Sequence, residues 1–228
     1  YLPAVEKKFN RKTLLLPNWD SLSLPLLAAA MQRRGIDARV LEEDELSITK
    51  GMRWNTGQCI PLNAIAQEMV EYMERHGLEP ERTVLWMPKA NWACNLPLFP
   101  HFIKSLLEHY SGGMEKAGVY SGNFFNEELS PGLALETGMA YHFGGLLRRV
   151  GCRIRPYETR PGETDRAIAE GQQTFLTAFR GERPKEEALV EVMERFEAIP
   201  RTEGGKPKVA IFGDLYVRDN EVMSQALI

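Results

Sequence analysis

Apolar and polar positions change period several times along the chain. The run "KTLLLPNW" ends at Pro17 and predicts a strand; from Ser21 to Arg34, Leu22, Leu26, Leu27, Ala30 and Met31 fall on one helical stripe. Gly35 stops that helix, and "DARVLEE" predicts the next strand. The same order returns twice. A helix over 62–76 carries Leu62, Ile65, Ala66, Met69 and Met73, ends at Gly77 and precedes the strand "RTVLWMP"; a helix over 97–110 with Phe99, Phe102, Ile103, Leu106, Leu107 and Tyr110 precedes the strand "KAGVYSG". A helix from about Pro131 to Val150 follows, and "CRIRPYE" supplies a candidate fifth strand. Strands alternating with helices of this length predict an α/β domain over 1–158, with a mostly parallel sheet covered on both faces.

From Pro161 the alternation breaks. "PGETDRAIAEGQQTFLTAF" opens with proline and an acidic first turn and predicts a helix burying Ile168, Phe175, Leu176 and Phe179; a second, over 184–197, buries Leu189, Val192, Met193 and Phe196. Residues 159–205 therefore form a helical linker. Beyond it "VAIFGDLYV" predicts a strand, and "NEVMSQALI" the opening of a helix. A lone strand and helix cannot cover their own apolar surface. Residues 206–228 are thus expected to begin a second α/β domain of a longer protein, or to add a strand to the first sheet.

Composition narrows the class. Among 228 residues, 43% are apolar, enough for a substantial core; 28 basic and 31 acidic residues give a net charge of -3, with neither sign gathered into a block, so no nucleic-acid footprint is expected. No apolar run approaches a membrane span, and "YLPAVEKKFNRK" lacks the apolar core of a secretory signal, which predicts a cytoplasmic protein without a membrane partner. Three cysteines are too few for a disulfide framework; in a reducing compartment they are core residues, nucleophiles or metal ligands.

Two of the three stand in similar surroundings. Cys59, in "RWNTGQCIP", lies between the second strand and a helix beginning near Pro61; Cys94, in "MPKANWACNLP", lies between the third strand and a helix beginning near Pro97. In an open parallel sheet both loops reach the carboxyl edge, where ligands bind. A thiolate just before a helix is favoured by the positive end of the macrodipole and by unpaired backbone N–H groups, which suits it to metal ligation. The alternative is that both are small buried apolar residues, as free cysteines often are. Cys152 follows a glycine at the start of the candidate fifth strand and is expected in the core. His76, His101, His109 and His142 have no ligand spacing, and neither a GxxxxGK[ST] nor a GxGxxG loop occurs. No catalytic residue can be singled out.

The ordered set "NTGQCIPLN", "VLWMPKANWACNLP", "RIRPYE" with "GETDRA", and "VAIFGDLYVRDN" resembles the iron-sulfur component of the 2-hydroxyacyl-CoA dehydratase family, especially its activator-related proteins. The resemblance implies consecutive flavodoxin-like α/β domains, of three layers each, holding a [4Fe-4S] cluster through three cysteines in loops at the sheet edge. By motif the first two fall on Cys59 and Cys94, and the third lies beyond residue 228. It also implies an ATP-dependent activator that supplies low-potential electrons, an acyl-CoA substrate, and a chain that alone holds no stable cluster and is inactive. Two further readings stay open: a flavodoxin-like binding or interaction module with structural cysteines and no metal, and a mononuclear zinc site.

Overall fold

Four strands, β1 (Thr13–Leu16), β2 (Asp37–Val40), β3 (Thr83–Pro88) and β4 (Gly118–Gly122), pair in parallel in the order β2-β1-β3-β4. The structure is a computed structural model that describes residues 9–54, 57–89, 94–122 and 130–225. Register follows the burial each strand needs: Leu14 sits opposite Ala38 on one side and Val84 on the other, and Val84 opposite Gly118. Leu14, Leu15 and Leu16 are wholly buried, as are Leu85 and Trp86, because the two central strands are covered on both faces. The outer strands β2 and β4 are only partly buried.

Eight helices surround this sheet among the described residues: α1 (Leu24–Arg33), α2 (Glu45–Gly51), α3 (Ile60–Arg75), α4 (Phe99–Leu107), α5 (Pro131–Ile154), α6 (Glu163–Phe179), α7 (Lys185–Glu197) and α8 (Leu215–Asp219). On one face α1 packs with α5 and α6, and α6 with α7; on the other, α3 packs with α2 and α4. The result is the three-layer α/β architecture expected from the pattern, consistent with a flavodoxin-like fold. Phe143 of α5 meets Phe175 and Phe179 of α6 edge-on, with ring centroids 4.7 and 5.5 Å apart, so α6 is packed onto the helical layer of the sheet.

The turn after β1 fastens this layer. Asp20 accepts from the backbone N–H groups of Leu22 and Ser23 and from the Ser23 hydroxyl, and a second set of bonds comes from Arg148 of α5, whose Nη2 lies 2.7 Å from Asp20 Oδ1. Trp19 adds a second tie by donating to the Tyr141 hydroxyl at 2.7 Å, and burial pushes the Tyr141 phenol up to about 12.

Three expectations need correction. "CRIRPYE" is no strand: α5 continues to Ile154, because Leu147, Gly151 and Ile154 extend its buried stripe. A β-carbon on Gly151 would lie 2.5 Å from Ile168 Cδ1, so this glycine allows α5 and α6 to approach closely. Cys152, on the opposite side of that stripe, is exposed rather than part of the core. Finally, residues 209–214 form no strand, and a helix falls at Leu215–Asp219 while residues 221–225 form turns, the last three residues of the expected helix lying outside the described residues. Val209 and Phe212 are 84% and 89% exposed. β-Branched composition favours a pleated surface, but a strand exists only where a neighbour takes its backbone hydrogen bonds, and no described residue does so here.

Candidate metal centre at the carboxyl edge

The loop leading to Cys59 is pinned on its N-terminal side. The Trp54 indole N–H donates to the Tyr110 hydroxyl at 2.6 Å, which donates in turn to Gln67 of α3 at 2.7 Å. Burial outweighs the Trp54 bond and pushes the Tyr110 phenol up to about 12, so it remains a donor. Gly57 then takes φ 69°, a left-handed conformation that a residue with a β-carbon adopts only with strain. Two residues on, Cys59 is the N-cap of the 16-residue α3, with extended backbone (φ -66°, ψ 149°) and no side-chain bond to the helix, and proline occupies the first turn. Its sulfur is thus free to point away from the helix N-terminus.

It turns toward the loop after β3. The Cys59 thiol donates to Asn95 Oδ1 at 2.9 Å, and Cys94 Sγ lies 3.8 Å from the same oxygen. The two sulfurs are therefore closer together than those two distances combined. Asn95 Nδ2 donates to Gln58 Oε1 at 2.8 Å, locking the amide between the loops, while Cys94 Sγ accepts from the Leu96 N–H at 3.4 Å. Cys59 is half-buried against the core and Cys94 is exposed. Strands β2 and β3 are not adjacent, since β1 lies between them. The loops meet because the crossover from β2 to β3 passes over β1, and its helix α3 starts at Cys59 on the edge that β3 also reaches.

Chemically, the pair offers two soft sulfur donors beside a long helix N-terminus, where anionic charge is favoured by the macrodipole. It amounts to half of a tetrahedral thiolate site. Among the described residues no group of three or more His, Cys, Asp and Glu is placed to hold a metal ion. Residues 55–56 and 90–93, which flank the two cysteines, lie outside the described residues. The donor set fits a cluster held by Cys59 and Cys94 only if further ligands come from elsewhere.

The remaining candidates stay apart. His76 stacks on Tyr72 with centroids 4.1 Å apart; His109 and His142 engage the carbonyls of Ser105 and Gly138 one turn earlier in their own chain. His101 lines a groove of about 490 Å³ with Lys104, Glu108 and Ser121. Cys152 lines a cleft of about 600 Å³ with Arg148, Arg155 and Gln172. Motif reading missed Asn95 and Gln58, the residues that bind the two loops together; the one signal available was that each is next to a cysteine.

No protein-family model, no curated protein and no solved structure matches the chain. No helix among the described residues is long and apolar enough to cross a membrane.

Proposed function

We propose that this chain is the [4Fe-4S]-binding component or domain of a cytoplasmic 2-hydroxyacyl-CoA dehydratase-like system that receives low-potential electrons from an ATP-driven activator. The observation that carries the reading is the convergence of Cys59 and Cys94 on one amide oxygen at the carboxyl edge of a parallel sheet. The ordered motifs around both cysteines support it. Cys59 and Cys94 would hold the cluster, with the remaining ligand from another segment, and when bound it supplies a low-potential one-electron couple. This chain's own residues set the access: Asn95 fixes the separation of the loops, and Cys94 faces solvent.

A second reading has an observation of its own. Cys59 packs against the core and is satisfied by Asn95, as a structural thiol in a binding module would be. Anaerobic purification of the full-length protein, with iron, sulfide and zinc assays, separates the two. The proposal expects iron and sulfide, most of it lost in Cys59→Ser while circular dichroism stays unchanged, because the substitution removes a soft ligand and little apolar area. A metal-free protein, zinc alone, or a Cys59→Ser variant with full iron and sulfide would overturn it.

A further inference from the structure

An acidic pair, Glu68 buried and Glu43 half-buried, lies at the same edge of the sheet and is built with a tyrosine from three distant parts of the chain. Glu43 follows β2, Glu68 sits in the middle of α3 with 1% exposure, and Tyr216 of α8 is 6% exposed. The Tyr216 hydroxyl donates to Glu43 Oε2 and lies 3.5 Å from Glu68 Oε2. The two carboxyl groups thus converge on one phenol oxygen. Their other oxygens, Glu43 Oε1 and Glu68 Oε1, are buried with no donor among the described residues.

An ionised carboxylate only accepts hydrogen bonds, and two of them facing each other out of water repel. Tyr216 has a single proton to give and gives it to Glu43. The oxygens left over need one more, and a carboxylic proton held between the two glutamates supplies it. Other charges do not replace it. Arg75, the cation acting on Glu68, pairs with Glu42 at 3.4 Å on the surface. On and against α8, Arg218 pairs with Asp219, Asp214 caps Val217, and Arg148 pairs with Asp20.

We propose that Glu43, Glu68 and Tyr216 form a proton-operated latch, in which one proton shared by the two glutamates fastens α8 and the residues around it to the carboxyl edge of the sheet. Among the described residues few other contacts hold that segment, Met223 packing half-buried against the core being one. From residue 214 to residue 225 only Tyr216 and Asn220 are buried, and Asn220 adds one bond to the Asn18 carbonyl at 2.6 Å. Titration behaviour agrees with the geometry. Burial first, then the Glu43 charge, pushes the Glu68 carboxyl well above its usual range; burial also raises Glu43, and keeps the Tyr216 phenol protonated. A group raised in the latched state holds its proton there at a pH where the open state has released it. The latch is therefore tight below the ordinary glutamate range and loosens as pH rises through the raised value.

Amide hydrogen exchange tests this in the full chain, with the N–H groups of Arg218, Asn220 and Ser224 as reporters, since each donates within the segment. After correction for intrinsic exchange, protection is expected to fall by up to about tenfold per pH unit as pH rises from the ordinary glutamate range through the raised value. Glu68→Gln supplies a permanent N–H donor that does not titrate, so it should keep protection at high pH with a flat profile, and Glu43→Gln should flatten the profile as well. Tyr216→Phe should lower protection at every pH. Wild-type protection independent of pH, or the wild-type slope persisting in both glutamine variants, would overturn the latch.

Discussion

Replacing Asp20 by alanine should be one of the more costly single changes in this chain. Two effects contribute. The turn before α1 loses its acceptor for the Leu22 and Ser23 N–H groups, a cap-like interaction whose removal costs about 1 kcal/mol. Arg148, with 22% of its side chain exposed, then loses the carboxylate that binds it through two nitrogens. Breaking a fully buried pair costs roughly 3–5 kcal/mol; with a fifth of the Arg148 side chain still in water, about 2 kcal/mol is appropriate here. The sum, about 3 kcal/mol, is a large part of a stability of roughly 5–15 kcal/mol. Urea unfolding followed by tryptophan fluorescence reads it as a lower midpoint at unchanged slope. Arg148→Met leaves Asp20 its turn partners and removes the stranded charge, so it should cost less, and the double variant should lie no lower than Asp20→Ala alone. A loss under about 1 kcal/mol, or strict additivity of the two changes, would refute the reasoning.

Gly144→Ala should destabilise although alanine is the better helix former: its β-carbon would lie 2.2 Å from Ser23 Oγ and 2.8 Å from Ser23 N, and overpacking of about 1–3 kcal/mol outweighs a propensity gain of about 1 kcal/mol. A raised melting temperature would show that α5 can move away from the turn. Asp44→Ala removes the cap that accepts from the Ser47 N–H at 2.7 Å, a loss of about 1 kcal/mol at neutral pH. That bond, followed by the one from the Ser47 hydroxyl, holds the Asp44 carboxyl below the usual range, so its contribution is present above the ordinary aspartate value and lost as pH falls through the lowered one. Urea midpoints of wild type and variant should converge in acid; a constant gap would contradict the capping role.

The central strands and long helices were legible because burial on both faces writes itself into the chain. Leu14–Leu16 and Val84–Met87 are continuous apolar runs, and α3 and α6 carry their stripes over several turns. α2 was missed: it is seven residues long, with Ile48 and Thr49 weakening its propensity, and only Asp44 marks its start. Residues 152–158 and 209–214 were misread for one reason. Local composition scores a strand, while its existence depends on a partner that composition does not name. At the cysteine pair, loop positions followed from strand order, so Cys59 and Cys94 could be placed together, but the amide of Asn95 between them could not. The Glu43–Tyr216 contact joins residues 173 positions apart, and no spacing rule reaches that far.

The exposed run from Val209 to Phe212 also bears on how the chain behaves at high concentration. Four consecutive apolar residues with free backbone groups could template stacking between molecules. Their neighbours oppose it: Lys206, Pro207 and Lys208 stand on one side, Gly213 and Asp214 on the other. The proline removes a donor and fixes a backbone angle, the lysines place like charges beside one another in any stack, and Gly213 at φ 146° bends the chain out of line. These gatekeepers keep the apolar stretch short of the six or seven residues that a dry zipper requires, so the segment can stay solvated although it is exposed.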